Sequence, residues 1–397
     1  MHTPSRRAFL TVAGGGLLAG CLGSPGGGTA SPSAAPEPLG FEAVPDDAAD
    51  PPQFERERTD ESEREQGVVD VAERPTGLTA LLYERSEGAL EAPQLVTIGP
   101  GGERASDRTL ESLPSNDVQS VERVGEATIV VEGWWQESWT SWLRGVSGTD
   151  FEVDADSGLT YSTVTVDGDS LLAAGVHRGG DDSNSTAVCR RFDLDGTIPW
   201  ERTVGETGTD YRFSAVTPVS DGVLAGGDKD DETWFVRYGG DGTETWRRTV
   251  TFDDESYSVA SVVSGSTGTY AVARTVHFGL GDNHLVLLSL GPEGEIKWTR
   301  VFDPNYSDGP KNLSVGWVVD AGGPVLVGHT GDRTWLAATE PDGSMRWAGY
   351  YPDSRDDGTV LANGLTTVDD GVVLYGRRGS RGSGTSTPNG WLAWLNP

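Results

Sequence analysis

Apolar residues fall in short runs broken at close intervals by turn formers, most clearly between Phe213 and Val250. FSAVTPV (Phe213–Val219) is followed by Ser-Asp-Gly, and VLAGGD (Val223–Asp228) by a short polar loop. TWFVRYG (Thr233–Gly239) leads through Gly-Asp-Gly into TETWRRTV (Thr243–Val250). Asp-Gly between apolar runs is the strongest short hairpin signal, because glycine takes the positive φ the turn needs. Four strands so joined, A to D, predict one antiparallel meander.

The same pattern returns along the chain. DLDGTIPW at Asp193–Trp200 is echoed by GDGTETW at Gly240–Trp246, PEGEIKW at Pro292–Trp298 and PDGSMRW at Pro341–Trp347. The four tryptophans are 46, 52 and 49 residues apart, a period that signals a repeat architecture. Laying the template along the chain places units at Tyr161–Val204, Tyr257–Phe302, Leu313–Tyr351 and Leu361–Pro397, with two weaker ones before them. The first has TALLYER (Thr79–Arg85) and QLVTIGPGG (Gln94–Gly102), with Ser106 in place of tryptophan. The second has TIVVEG (Thr128–Gly133) and TSWLRGV (Thr140–Val146), with Phe151 near that place. Strand B ends in glycine at Gly133, Gly175, Gly227, Gly328 and Gly376, which marks close backbone approach.

Seven such sheets around an axis predict an all-β, seven-bladed β-propeller of four-stranded antiparallel blades spanning 51–397. The last unit stops after its strand C. Upstream of the first, Phe54-Glu55-Arg56 matches the Trp-x-Arg of Trp200–Arg202, Trp246–Arg248 and Trp298–Arg300. An N-terminal strand from Pro51–Thr59 is therefore expected to complete the last blade beside Gly390–Leu395, with Phe54 in the tryptophan slot; this closes the ring and removes open edges.

These phrases resemble the seven-bladed propeller repeats, often called SBBP-type, of secreted prokaryotic proteins, strongly from Tyr161 onward. The whole looks like a haloarchaeal lipoprotein exported by the twin-arginine route. The resemblance implies a fold and a location, and it carries no catalytic residues to transfer.

Composition agrees with that location. Acidic residues number 61 against 30 basic ones, a net charge of -31, and only Lys229, Lys297 and Lys311 among the bases are lysines. Such a surface repels nucleic acid and anionic membranes, and concentrated salt would screen it, as in a halophile. SRRAFL (Ser5–Leu10) carries the paired Arg6-Arg7 of a twin-arginine signal, and LAGC (Leu18–Cys21) is similar to a lipobox that would lipidate Cys21. The expectation is a signal peptide at 1–20, a lipidated cysteine and disordered Gly/Pro/Ser/Ala tether at 21–50, and a monomeric domain on the extracytoplasmic face of the membrane. Cys189 is left as a small buried hydrophobe.

Candidate chemistry is sparse. The recurring tryptophan shares its spacing from glycine with the docking repeat of pyrroloquinoline-quinone (PQQ) dehydrogenases, but Asp193 precedes Gly196 by three residues rather than four. The tryptophans are read as blade packing, and PQQ is not expected. Asp193-x-Asp195-Gly196 and Asp154-x-Asp156-x-Gly158 could open calcium loops, yet neither reaches a full ligand set; turn formation is the simpler reading. Carboxylates gather between blades, among them Glu206, Asp210, Asp253–Glu255, Asp303, Asp308, Asp353, Asp356 and Asp357, where a cation-attracting funnel competes with plain solvated acids. In GWWQESWTSW (Gly133–Trp142), Trp142 matches the core position of Trp234 and Trp335, whereas Trp134, Trp135 and Trp139 are candidate contacts for a surface protein or glycan. Asn184, Asn305 and Asn312 head glycosylation sequons. No hydrolase elbow, phosphate loop or zinc spacing occurs. The reading is a non-catalytic binding or scaffold module, with an enzyme in the funnel, a PQQ-type dehydrogenase or a hydrolase, as the alternative.

Overall fold

A computed structural model describes residues 54, 56–60, 65–86, 89–111, 118–134, 140–154, 158–178, 184–252, 257–275, 285–302, 313–330, 333–351, 359–368, 371–379 and 388–396. They form seven antiparallel blades in a ring, a seven-bladed β-propeller. β1 (Arg56–Asp60) precedes blade one, which is β2 (Glu65–Arg74), β3 (Gly77–Ser86), the short β4 (Ala89–Leu90), β5 (Gln94–Ile98) and β6 (Arg104–Thr109). Blade two is β7 (Val118–Val124), β8 (Ala127–Trp134), β9 (Thr140–Ser147) and β10 (Glu152–Asp154). Blade three is β11 (Leu159–Asp167), β12 (Ser170–Arg178), β13 (Ser185–Asp193) and β14 (Trp200–Val204). Blade four is β15 (Tyr211–Val219), β16 (Gly222–Lys229), β17 (Glu232–Gly239) and β18 (Glu244–Val250). Blade five is β19 (Tyr257–Ser264), β20 (Thr269–Thr275), β21 (Leu285–Leu290) and β22 (Ile296–Phe302). Blade six is β23 (Leu313–Asp320), β24 (Pro324–Thr330), β25 (Arg333–Thr339) and β26 (Met345–Tyr351). Blade seven is β27 (Thr359–Val368), β28 (Gly371–Gly379) and β29 (Asn389–Leu395), with β1 antiparallel to β29.

Because side chains alternate across a strand, each middle strand feeds two cores. In β12, Leu171 and Ala173 pack toward blade two, and Leu172 and Ala174 toward blade four. In β21, Leu285 and Leu287 face blade six while Val286 and Leu288 face blade four. Strands covered on both faces read as unbroken apolar runs. Seven buried clusters result, one in each gap between neighbouring blades, including the gap between blades seven and one.

The recurring phrase is the interlock at the outer rim. Trp200 Nε1 donates to the Gly240 carbonyl at 3.2 Å, Trp246 to Pro292 at 2.8 Å and Trp298 to Pro341 at 2.9 Å, each in the C–D turn of the next blade. Two residues on, Arg202 and Arg300 donate to the carbonyls of Gly242 and Gly343, and Arg248 to that of Glu293. The turn glycine serves twice: Gly242 has φ +77°, and a Cβ on it would lie 2.8 Å from the Trp200 ring. Phe151, opposite Gly145, holds the tryptophan position in blade two and packs edge-on against Phe192.

Two expectations are corrected here. β1 is described from Arg56 to Asp60, residues 51–53 and 55 lying outside the described residues, and Arg56 rather than Phe54 fills the tryptophan slot. Arg56 lies opposite Trp394, donates to the Pro100 carbonyl at 2.6 Å and stands 4.1 Å over the Trp394 ring, while Arg58 reaches the Gly102 carbonyl at 2.9 Å. Phe54 instead packs on Tyr351 and Trp391 at the contact of blades six and seven. A long arginine can span the same gap and still donate to the turn, so the slot does not demand an indole. The second correction concerns Gly133. A Cβ on Gly175, Gly227 or Gly376 would meet a strand A carbonyl at 1.9, 1.9 and 2.1 Å, but in blade two the residue at that register is Glu132.

Candidate binding site in the central channel

The inner strands β2, β7, β11, β15, β19, β23 and β27 surround the axis, and every one carries a register shift at the same level. The shifts fall at Val68/Asp70, Val118/Ser120, Tyr161/Thr163, Phe213/Ala215, Val259/Ser261, Ser314/Trp317 and Ala362/Gly364. A bulge bends its strand and re-aims the residues around it; repeated seven times, it opens a cavity of about 750 Å³ on the axis. Hydroxyls from Ser120, Ser162, Thr163, Thr165, Ser214 and Thr366 line much of it. Trp317, an exposed aromatic, enters from blade six.

The first residue after the bulge also ties neighbouring blades together. In blade five Ser261 Oγ accepts the Val318 N–H of blade six at 3.4 Å. At the matching position of blade one stands Asp70, whose Oδ2 accepts the Val121 N–H of blade two at 2.9 Å while Oδ1 accepts the Val71 N–H at 2.8 Å. Burial pushes Asp70 up to about 6, against the lowering effect of its bonds with Val121, Tyr375 and Val71. Burial and the Asp70 charge push Glu122, also on the cavity wall, well above the carboxylate range. Tyr375 is raised chiefly by burial, then by Asp70. Its hydroxyl reaches the pair because Gly364 opposite has no side chain; a Cβ there would lie 2.3 Å from the hydroxyl oxygen. Enclosure disfavours the charged form of both carboxyls, and the Asp70 charge disfavours it further at Glu122.

At the A–B hairpin end of the cavity wall stand Arg74 and Arg123. Burial, then the neighbouring Arg74, holds Arg123 below the usual guanidinium range. The charges in EQGVVDVAER and VQSVERV mark these two inner strands, where YSTVTV and FSAVTPV carry Ser, Thr or Ala. That contrast was the available signal.

Those of the residues singled out from sequence that the structure describes lie elsewhere. Arg6, Arg7, Cys21, Trp135, Trp139, Asn305 and Asn312 fall outside the described residues, as does the side chain of Trp134 at the end of β8. Trp142 is half-buried opposite Glu132, in register with Trp234 and Trp335. Asn184 Oδ1 accepts the Gly208 N–H at 2.9 Å. The turn acids are engaged locally: Asp195 accepts from Thr197 N–H at 2.9 Å and Asp241 from Thr243 N–H at 2.8 Å, bonds that lower both carboxyls. Asp210 takes the Ser185 N–H and hydroxyl at 2.8 and 3.0 Å. Among the described residues no group of three or more His, Cys, Asp or Glu is placed to hold a metal ion. Cys189 is buried beside Trp200, and burial pushes its thiol up to about 12.

No family model matches the chain, and no curated protein matches it in sequence. Solved structures do resemble it. The Dos1 propeller superposes with a TM-score of 0.51 at 8% identity, over 87% of this chain and 95% of that one. A structure from work on two prolyl endopeptidases also gives 0.51, at 16% identity, over 82% of this chain and 46% of that one. At such identities the likeness is one of fold: the chain is a β-propeller.

Proposed function

We propose that the protein is a non-catalytic binding module that takes a small polar ligand into its central channel. It is carried outward by the Arg6-Arg7 signal and held on the extracytoplasmic face of a halophile's membrane by lipid on Cys21. The observation that carries the binding role is the cavity of about 750 Å³, which falls in the range of small-molecule sites and is walled by hydroxyls on a rigid ring. LAGC after paired arginines, followed by the tether, supports the anchoring. A panel of sugars, polyols and amino acids screened by thermal shift tests the channel. At least one should raise the melting temperature of the parent but not of Ser162→Trp, which fills the wall; a panel without any channel-dependent ligand refutes the role. Fractionation tests the anchor: Cys21→Ala should move the protein from membrane to soluble fractions, and an unchanged distribution rejects lipidation.

A hydrolase in the channel is the second reading, favoured by two carboxyls, Asp70 and Glu122, on one cavity wall, both raised by burial. It requires turnover of a chromogenic glycoside, ester or peptide that Glu122→Gln abolishes.

A further inference from the structure

Strand alternation sends two cations into one gap. Ala72 and Val121 both belong to the cluster between blades one and two. Two residues further along their strands, Arg74 therefore faces blade two and Arg123 faces blade one. Both line the cavity at the A–B hairpin end. Arg74 Nη1 donates to Thr79 Oγ1 at 3.4 Å and Thr97 Oγ1 at 3.2 Å. Arg123 donates from Nη1 to Thr128 Oγ1 at 3.5 Å and from Nη2 to the Gly125 carbonyl at 2.7 Å. All of these acceptors are neutral, and each guanidinium has five N–H donors to place.

Among the described residues neither arginine forms an ion pair with a carboxylate, in a chain with 61 acidic residues against 30 basic ones. Other arginines do find acids: Arg191 pairs with Asp167 at 3.0 Å, Arg212 with Asp228 at 3.2 Å and Arg378 with Glu57 at 2.7 Å. The exposed Glu126 attracts Arg123 without bonding it. The matching strand ends of the other blades are Val166-Asp167, Pro218-Val219, Val263-Ser264, Val319-Asp320 and Thr367-Val368, which bring no cation. Two like charges held side by side repel, and an oxyanion between them relieves that repulsion with charge-assisted forked hydrogen bonds.

We propose that Arg74 and Arg123 clamp the acid group, a carboxylate or a phosphate, of a small hydroxylated ligand whose body lies along the channel. This rests on the channel being the binding site. Asp70 is four residues back from Arg74 on β2, roughly 13 Å along an extended strand, so a sugar-sized body fits between clamp and carboxyl pair. Ser120, Ser162, Thr163 and Thr165 face that body, and their hydroxyls can both donate to and accept from ligand hydroxyls.

Titration calorimetry on the full chain at constant ionic strength tests this, with glucuronate, glucose 6-phosphate and glucose as probes. At least one acid sugar should bind ten-fold or more tighter than glucose, and which one does so separates carboxylate from phosphate. Arg74→Gln/Arg123→Gln should lose at least ten-fold of that affinity, with its melting curve showing the fold retained. Arg123→Lys, which keeps the charge and loses the fork, should fall between, and it carries the test should the double variant not fold. Glucose binding as tightly as both acid sugars sinks the clamp and leaves the channel reading standing. Acid sugars bound equally by the double variant sink it as well. No binding of any probe overturns both.

Discussion

Where blade three meets blade four, Trp200 and Arg202 reach across to the turn of Gly240–Gly242; where blade seven meets blade one, Arg56 and Arg58 reach to the turn of Pro100–Gly102. The carbonyls and the glycine are common to both contacts, and only the reaching side chain differs. The carbonyls of the turn thus accept from an indole in one contact and from a guanidinium in the other. Toward the axis the contrast sharpens. Blades three to five offer Thr163, Ala215 and Ser261 after their bulges, whereas blade one offers Asp70, and blades one and two add Glu122, Arg74 and Arg123. Repetition builds the ring, and departures from it build the site.

That contrast can be broken most severely at the regular rim. Trp298→Ala removes a buried indole and its bond to Pro341, and should cost ~3–5 kcal/mol in denaturant unfolding. A loss below about 1 kcal/mol would show the interlock to be dispensable.

The next effect separates Asp70 from the serine that does its work in blade five. Its carboxyl is raised on folding from 3.8 to about 6, so the native state binds the proton more tightly than the unfolded chain. Stability is then highest below the lower value and falls as pH rises through the interval, by up to about 3 kcal/mol. Asp70→Asn cannot ionise and keeps an acceptor, so its stability relative to the parent should climb between pH 4 and 6. A difference that stays flat across that range would mean the carboxyl is not held in the enclosure described.

The smallest effect sharpens the rim comparison. Arg56→Ala should cost about 1–2 kcal/mol through the lost bond to Pro100 and the lost contact with Trp394, and Arg56→Trp should recover most of it. An alanine variant that melts like the parent would mean that β1 adds nothing at this edge, and with it would go the expectation that the N-terminal strand holds the ring shut.

Much of the fold was legible in the chain because its signals are local. Asp241-Gly242 forms its turn from two residues and one positive φ, and VLAGGD or LVLLSL declares a strand covered on both faces by composition alone. Spaced at a steady period, such units sum to seven blades. Of the site only the charges of β2 and β7 stood out in the sequence; Asp70, Glu122 and Tyr375 lie far apart in sequence and gain meaning only when the ring brings blades one, two and seven around one axis. The pairing of β1 was equally tertiary. Phe54-Glu55-Arg56 and Arg56-Glu57-Arg58 both offer an aromatic or cation two residues before an arginine. Glu57 helps to set the choice by collecting Arg378, Trp391 and Tyr351 from blades six and seven. Local pattern determined the number and kind of blades; the register of the first strand and the chemistry of the channel were decided by contacts between residues that only the closed packing of blade on blade makes neighbours.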